Sequence, residues 1–150
     1  MNSSKSVEPN IATNTGVVGY ISNPVASFTK NSITIDIFDN AFYCNYAFGA
    51  GDDTGVYWNT QADYTSKQML FFTSSMEKSI AGKFSYGKKL RSSLSLDIKM
   101  YVPSVKGCID LKFMDTLISA IQKLIIKDVV LYSDRKIAAT KQCFKHLEDL

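Results

Sequence analysis

The chain of 150 residues contains a single histidine, His146, close to its C-terminus. A Ser/His/Asp or Cys/His arrangement would have to use that residue from a poor position, and its ordinary reading is a solvated helix end. No H-E-x-x-H, no G-x-x-x-x-G-K-[ST] and no G-x-G-x-x-G occurs, so the usual zinc-protease, phosphate-loop and dinucleotide signatures are missing. Asn23-Pro24 is followed by Val25, not by a second proline and an aromatic, so the methyl-transfer signature is absent too. Two Asp-x-Lys triplets occur, at Asp97 and Asp110. A metal-dependent nuclease needs a second acidic residue ahead of such a triplet in a fixed sheet context, the triplet is common by chance, and Asp110 already has a helix-capping explanation. Asp52-Asp53 reads as a solvated turn. The expectation is a chain with no catalytic residues, no metal and no cofactor of its own.

Cysteine is scarce as well: Cys44, Cys108 and Cys143 are an odd number without C-x-x-C spacing. They read as free thiols in a reducing, cytoplasmic compartment, not as a disulfide frame or zinc site. No apolar run approaches the roughly 20 residues of a bilayer-spanning helix; LIIKDVVL and MLFF are the longest. The opening MNSSKSVEPN lacks the basic-then-apolar order of a secretory signal.

What is present is unevenly placed. Residues 1–80 carry 4 basic and 7 acidic side chains, and residues 81–150 carry 13 basic and 7 acidic. Within residues 82–106, Lys83, Lys88, Lys89, Arg91, Lys99 and Lys106 stand against Asp97 alone. Such asymmetry points to a polyanionic partner.

The periodicity divides the chain into two parts. Residues 1–15 are polar and aperiodic and are expected to be flexible. GVVGYI (16–21) and SITIDIF (32–38) read as strands, with Ile33, Ile35 and Ile37 on one face and Thr34, Asp36 and Phe38 on the other. Asp39-Asn40 is a turn signal, and AFYCNYAF (41–48) reads as the returning strand of a hairpin. After the turn cluster GAGDDTG comes a short strand, VYWN. Residues 63–80 change period: Met69, Phe72, Met76 and Ile80 mark a helix. LDIKMYVP (96–103) alternates again and is expected to be a strand ended by Pro103.

Residues 109–150 contain neither glycine nor proline. Asp110 is placed to cap a helix and Asp115 lies in its first turns. Met114, Leu117, Ile118, Ile121, Leu124, Ile125, Val129 and Tyr132 form an apolar seam near period 3.5. A helix of about 35–40 residues would extend about 50–60 Å, beyond what a small β unit covers, so the seam calls for a partner helix. The fold class expected is α+β: a small β-rich domain with short helices over 1–107, then a long coiled-coil-like helix over 108–150 for dimerisation and docking. Met114, Leu117, Ile121, Leu124 and Ile125 are the candidate partner-helix residues.

The positive chemical signal is a basic segment interleaved with aromatics: Lys83, Phe84, Tyr86, Lys88, Lys89 and Arg91, followed by Ser92 and Ser93. Lysine and arginine neutralise phosphate charge, while hydroxyls and amides add phosphate hydrogen bonds. The hairpin region offers Asn40, Asn45, Asn59 and Gln61, residue types that pair bidentately with adenine. Turn formation is an equally good reason for those amides, and the core of a β unit explains most of the aromatics.

TGVVGYISN (15–23), SITIDIFDNAFYCNYAF (32–48) and FSYGKKLRSSLSLDIKMYVPSVKGCIDLKFMDTLI (84–118) together resemble the target recognition domain of restriction–modification specificity subunits. These are the S subunits of type I systems and the related type IIG and BcgI-like proteins. The run from Phe84 to Ile118 is the most specific part. The resemblance implies a bacterial, cytoplasmic, non-catalytic subunit that reads double-stranded DNA and docks methyltransferase and restriction subunits. Members usually hold two recognition domains and two long antiparallel helices, whereas this sequence holds one of each, as a half-subunit would. That implies a homodimer through the helix. An S-like masking protein that regulates a nuclease partner through the helix is the alternative.

Overall fold

The computed structural model describes residues 4–7, 14–24, 26–37, 39–51, 54–84, 88–90, 92–95 and 97–148. The chain is α+β and divides into two compact units, Met1–Asp115 and Thr116–Leu150.

The first unit is built on β3 (Ser32–Asp36), flanked antiparallel by β4 (Ala41–Cys44) and β6 (Thr54–Tyr57). Both faces of β3 are covered. Ile33 and Ile35 join Ala41, Met69, Phe72, Ile80, Leu90 and Met114 in the main core. From the other face the Thr34 hydroxyl approaches the Cys44 sulfur (3.9 Å), and Cys44 packs with Phe48, Phe28 and Tyr46 in a second, smaller core. The alternation of SITID therefore marks two buried faces, and Thr34 and Asp36 are as buried as the isoleucines.

The β3–β4 turn follows the sequence closely. Asp39 takes a left-handed conformation (φ 79°). Asp36 N–H donates to the Asn40 carbonyl (3.0 Å) and Asn40 N–H to Asp36 Oδ1 (3.0 Å), closing the hairpin. The returning segment, expected as one strand over 41–48, is two. β4 ends at Cys44, and β5 (Phe48–Ala50) belongs to a separate sheet of order β2-β1-β5, with β2 at Val17–Ile21. Its central strand, β1 (Ser4–Val7), lies inside the stretch expected to be flexible; it pairs antiparallel with β2 and parallel with β5. Backbone ladder bonds between two partners hold a segment whose sequence carries no strand pattern.

The helix expected over 63–80 is α1 (Ser66–Ile80). Thr65 caps it by accepting from Gln68 N–H (3.2 Å), and Gln68 Oε1 accepts from Thr65 N–H (3.0 Å), a reciprocal capping box. A single helical turn, α2 (Ser92–Ser95), precedes the region expected as a strand over 96–103. There the structure departs from the pattern: the described residues make no ladder. Ile98 and Val102 pack half-buried against the main core, and Tyr101 uses its carbonyl to accept from Ser75 Oγ (2.6 Å). Alternating side chains were enough to cover the core without a neighbouring strand. A two-residue hairpin follows, β7 (Ser104–Val105) and β8 (Cys108–Ile109), turned by Lys106 and Gly107 at φ 50° and 80°.

The last helix, α3 (Leu111–Glu148), is 38 residues long. Asp110 Oδ1 accepts from Phe113 N–H (2.9 Å) and caps it, as the sequence predicts. Its first turn belongs to the β-rich unit, where Met114 is fully buried. Met114 is therefore no partner-helix residue: its thioether fills the core between the sheet and α1. In contrast every residue from 121 to 142 is exposed.

Candidate nucleic-acid interface

The basic segment begins where α1 stops. Lys83 Nζ donates to the Ser79 carbonyl in the last turn of α1, a cation placed at the negative end of the helix. Gly82, at φ 70°, donates its N–H to Asp39 Oδ2 (2.8 Å). At the other end Leu90 N–H donates to the Ile37 carbonyl (3.4 Å), with the Leu90 side chain buried in the main core. Both ends of the segment 82–90 are thus tied to the β3–β4 turn, and Lys88 between them is exposed while Lys89 is half-buried. Tyr86 and Arg91 lie outside the described residues, as does the Asp52-Asp53 pair.

This anchoring sets the basic segment beside Asn40. That asparagine is engaged in the turn: Nδ2 donates to Asp36 Oδ2 (2.7 Å). The other candidate amides are elsewhere. Ser32 pairs with Cys44 and Ile33 with Tyr57, whereas Ile35 pairs with Ala41 and Asp36 with Thr54. Asn45, Asn59 and Gln61 therefore follow β4 and β6 at the Ser32 end of β3, while Asn40 and the lysines sit at its Asp36 end. At about 3.3 Å per residue the two ends lie roughly 13 Å apart. The seven described candidates do not form one cluster; the sheet sets Asn40 with the lysines and separates them from Asn45, Asn59 and Gln61.

At the amide end, Asn45, Trp58, Asn59 and Gln61 are all exposed. Asn59 Oδ1 accepts from Gln61 N–H (2.7 Å), a local turn bond that fixes the Asn59 side chain. Trp58 is 54% exposed yet held, tilted, against Phe28 (ring centroids 6.3 Å); Phe28 stacks in turn on Phe48 (5.6 Å). Burial, with Cys44 adding to it, pushes the Tyr46 phenol above its ordinary value, so it stays a protonated donor.

Lys30 is exposed at this end, just before the Asn31 N–H that donates to the Cys44 carbonyl (2.9 Å). Sequence reading passed over it because it is a lone cation in a net-acidic half. Its position immediately ahead of the strand pattern at Ser32 was the available signal. Asn31, at φ 66°, is structural: Nδ2 donates to the Tyr64 carbonyl (2.9 Å) and Oδ1 accepts from the Tyr43 hydroxyl (2.9 Å).

A cavity of about 290 Å³ opens in the same unit among Ile35, Tyr57, Met76, Leu90, Ile98 and Met100. It is apolar, and Ser79 on its wall donates to the Met76 carbonyl. Among the described residues no three His, Cys, Asp or Glu side chains are grouped to hold a metal ion, and Cys44 and Cys108 are free thiols. No described helix is long and apolar enough to cross a membrane.

The candidate partner residues of α3 beyond the first turns are open. Leu117, Ile121, Leu124 and Ile125 are exposed, and Tyr132 carries the Lys136 ammonium over its ring (5.6 Å). No family model, no curated protein and no solved structure matches this chain.

Proposed function

We propose that the chain is a non-catalytic module for sequence-specific recognition of double-stranded DNA, of the kind that serves restriction–modification systems as a specificity subunit or half-subunit. The observation that carries the reading is the basic segment 82–90, pinned at both ends to the β3–β4 turn. A cationic segment tethered at Gly82 and Leu90 is suited to phosphates, and the amide-rich end of the same sheet is suited to base edges. Their separation of roughly 13 Å is close to the ~12 Å width of the major groove. One end can therefore lie at the groove while the other lies along the backbone. In this reading Lys83, Lys88, Lys89, Tyr86 and Arg91 supply affinity. Asn45, Asn59 and Gln61, with Lys30 and Trp58 beside them, supply readout, and Asn40 orders the turn that joins the two functions. The long helix docks methyltransferase and restriction subunits.

The exposed apolar face of α3 also fits the second reading, an S-like protein that masks a nuclease partner through its helix. A labelled duplex titrated over a salt series separates them. DNA recognition requires log affinity to fall steeply and linearly with log salt, and binding that is absent or insensitive to salt leaves only the masking role.

A further inference from the structure

The apolar cavity of about 290 Å³ takes no part in the DNA reading. It lies where the sheet of β3, β4 and β6 ends. Among the described residues β6 is an edge strand, and the segment around Ile98 and Met100, which alternates like a strand, makes no ladder with it. Tyr57 on β6 lines the same cavity as Ile98 and Met100, so the gap between them is space that a further strand would close. One wall is firm: Ile35, Ile80 and Leu90 are buried side chains of the main core. The segment opposite is lightly held. Asp97 N–H donates to the Leu94 carbonyl (3.4 Å) and Ile98 N–H to the Ser95 carbonyl (3.3 Å), both long for hydrogen bonds. Met76 and Met100 complete the lining, and methionine re-packs readily around an irregular guest.

We propose that this cavity is a binding site for an uncharged apolar molecule with about the volume of two fused rings. Protein interiors pack as densely as organic crystals, with few voids larger than a water molecule, so an empty space of this size forgoes contacts that a guest restores. Size sets the guest: an engineered apolar cavity of about 150 Å³ takes up benzene, and this one is about twice as large. Chemistry sets its class. Among the described residues, the lining includes no Lys, Arg, His, Asp or Glu, so a charge carried into it would be unpaired and costly to desolvate. Water is a poor occupant as well, because it needs about two to four polar partners. The Ser79 hydroxyl on the wall already donates to the Met76 carbonyl (2.7 Å). Its oxygen keeps acceptor capacity, a handle for a ring N–H and not for an anion.

This inference stands apart from the DNA reading and is tested on the full chain without DNA. The probe is indole and the readout is methyl NMR of the five methionines, with Met76 and Met100 assigned through Met76→Leu and Met100→Leu. Indole should shift the Met76 and Met100 methyl signals saturably, with a dissociation constant between about 10 μM and 1 mM for a guest of this size. The signals of Met69 and Met114, which belong to the main core and do not line the cavity, should stay nearly in place. Indole-3-carboxylate should bind at least about tenfold more weakly. Ser79→Leu sets a larger apolar side chain on the wall. It should abolish the indole shifts and raise Tm, as cavity filling commonly does. Ile98→Phe, on the lightly held segment, is the second filling variant should the first fail to fold. No saturable shift up to the solubility limit of indole, or equal shifts at all five methionines, would overturn the proposal. Unchanged indole affinity in a folded filling variant would overturn the location, and equal binding of the carboxylate would overturn the class of guest.

Discussion

Asp115 joins the two helices of the β-rich unit, and its removal should be felt throughout that unit. Thr65 Oγ1 donates to Asp115 Oδ1 (2.7 Å) and Gln68 Nε2 donates to Asp115 Oδ2 (2.7 Å). The same two residues form the capping box of α1, so every polar atom of the box is engaged at once. Truncation by Asp115→Ala strands both donors. A hydrogen bond to a charged acceptor is worth about 1.5–3 kcal/mol, but the threonine bond is exposed and is screened by solvent. A total near 2 kcal/mol follows, equivalent to a fall in Tm of about 4–8 °C for a chain of this size. Thermal unfolding followed by near-ultraviolet circular dichroism reads the aromatic-rich unit directly. Gln68→Glu, which sets a second carboxylate against Asp115, should be destabilising as well. In the double variant D115A/Q68E that repulsion disappears, so the two losses should be less than additive. A D115A Tm within about 1 °C of wild type, or strict additivity, would refute the idea that this carboxylate fastens α3 to α1.

Four further outcomes are expected. Met114→Ala should cost about 2–5 kcal/mol by opening a cavity in the main core, measured by urea unfolding, whereas Leu124→Ala, on an exposed helix position, should leave the unfolding of the β-rich unit unchanged. Lys88→Ala with Lys89→Ala should weaken duplex binding about uniformly across sequences and flatten the salt slope by about one unit for each phosphate that is no longer neutralised; unchanged binding at low salt would remove the segment from the interface. Alanine at Asn45, Asn59 or Gln61 should cost about 1–3 kcal/mol for the matching base pair only, read by competition among single-base-pair variants of the site. If α3 buries its apolar face against a second copy, the wild type should sediment as a dimer and Ile121→Glu as a monomer, while the thermal transition of the β-rich unit persists.

The fold was legible where local chemistry and packing agree. SITID carries strand propensity, and β3 places Ile33 and Ile35 in the main core. Asp110 had one evident use and serves it. The absence of glycine and proline after 109 left little but a helix. Failures came where the sequence pattern is permissive. Alternation at Ile98, Met100 and Val102 is satisfied equally by an extended segment lying on the core, because no signal in a single segment reports a missing ladder partner. Ser4–Val7 is mostly polar and becomes a central strand by pairing with β2 and β5. Met114 shares the period of the α3 seam, and only the docking of the first turn separates it from Leu117. For the candidate interface, the residue types were readable but their distribution was not: strand register places Asn40 with the lysines and Asn45, Asn59 and Gln61 at the far end. Lys30 was overlooked for the same reason, since its relevance comes from position and not from charge density.

Sequence-specific recognition is tested most directly by selection of the full chain against a pool of random duplexes at about 0.15 M salt, followed by sequencing of the bound fraction. The account predicts enrichment of a defined sequence, unaltered by K88A/K89A although the yield drops, and relaxed at single base pairs by changes at Asn45, Asn59 or Gln61. A bound fraction with the base composition of the starting pool, at any salt concentration that still permits binding, would contradict it.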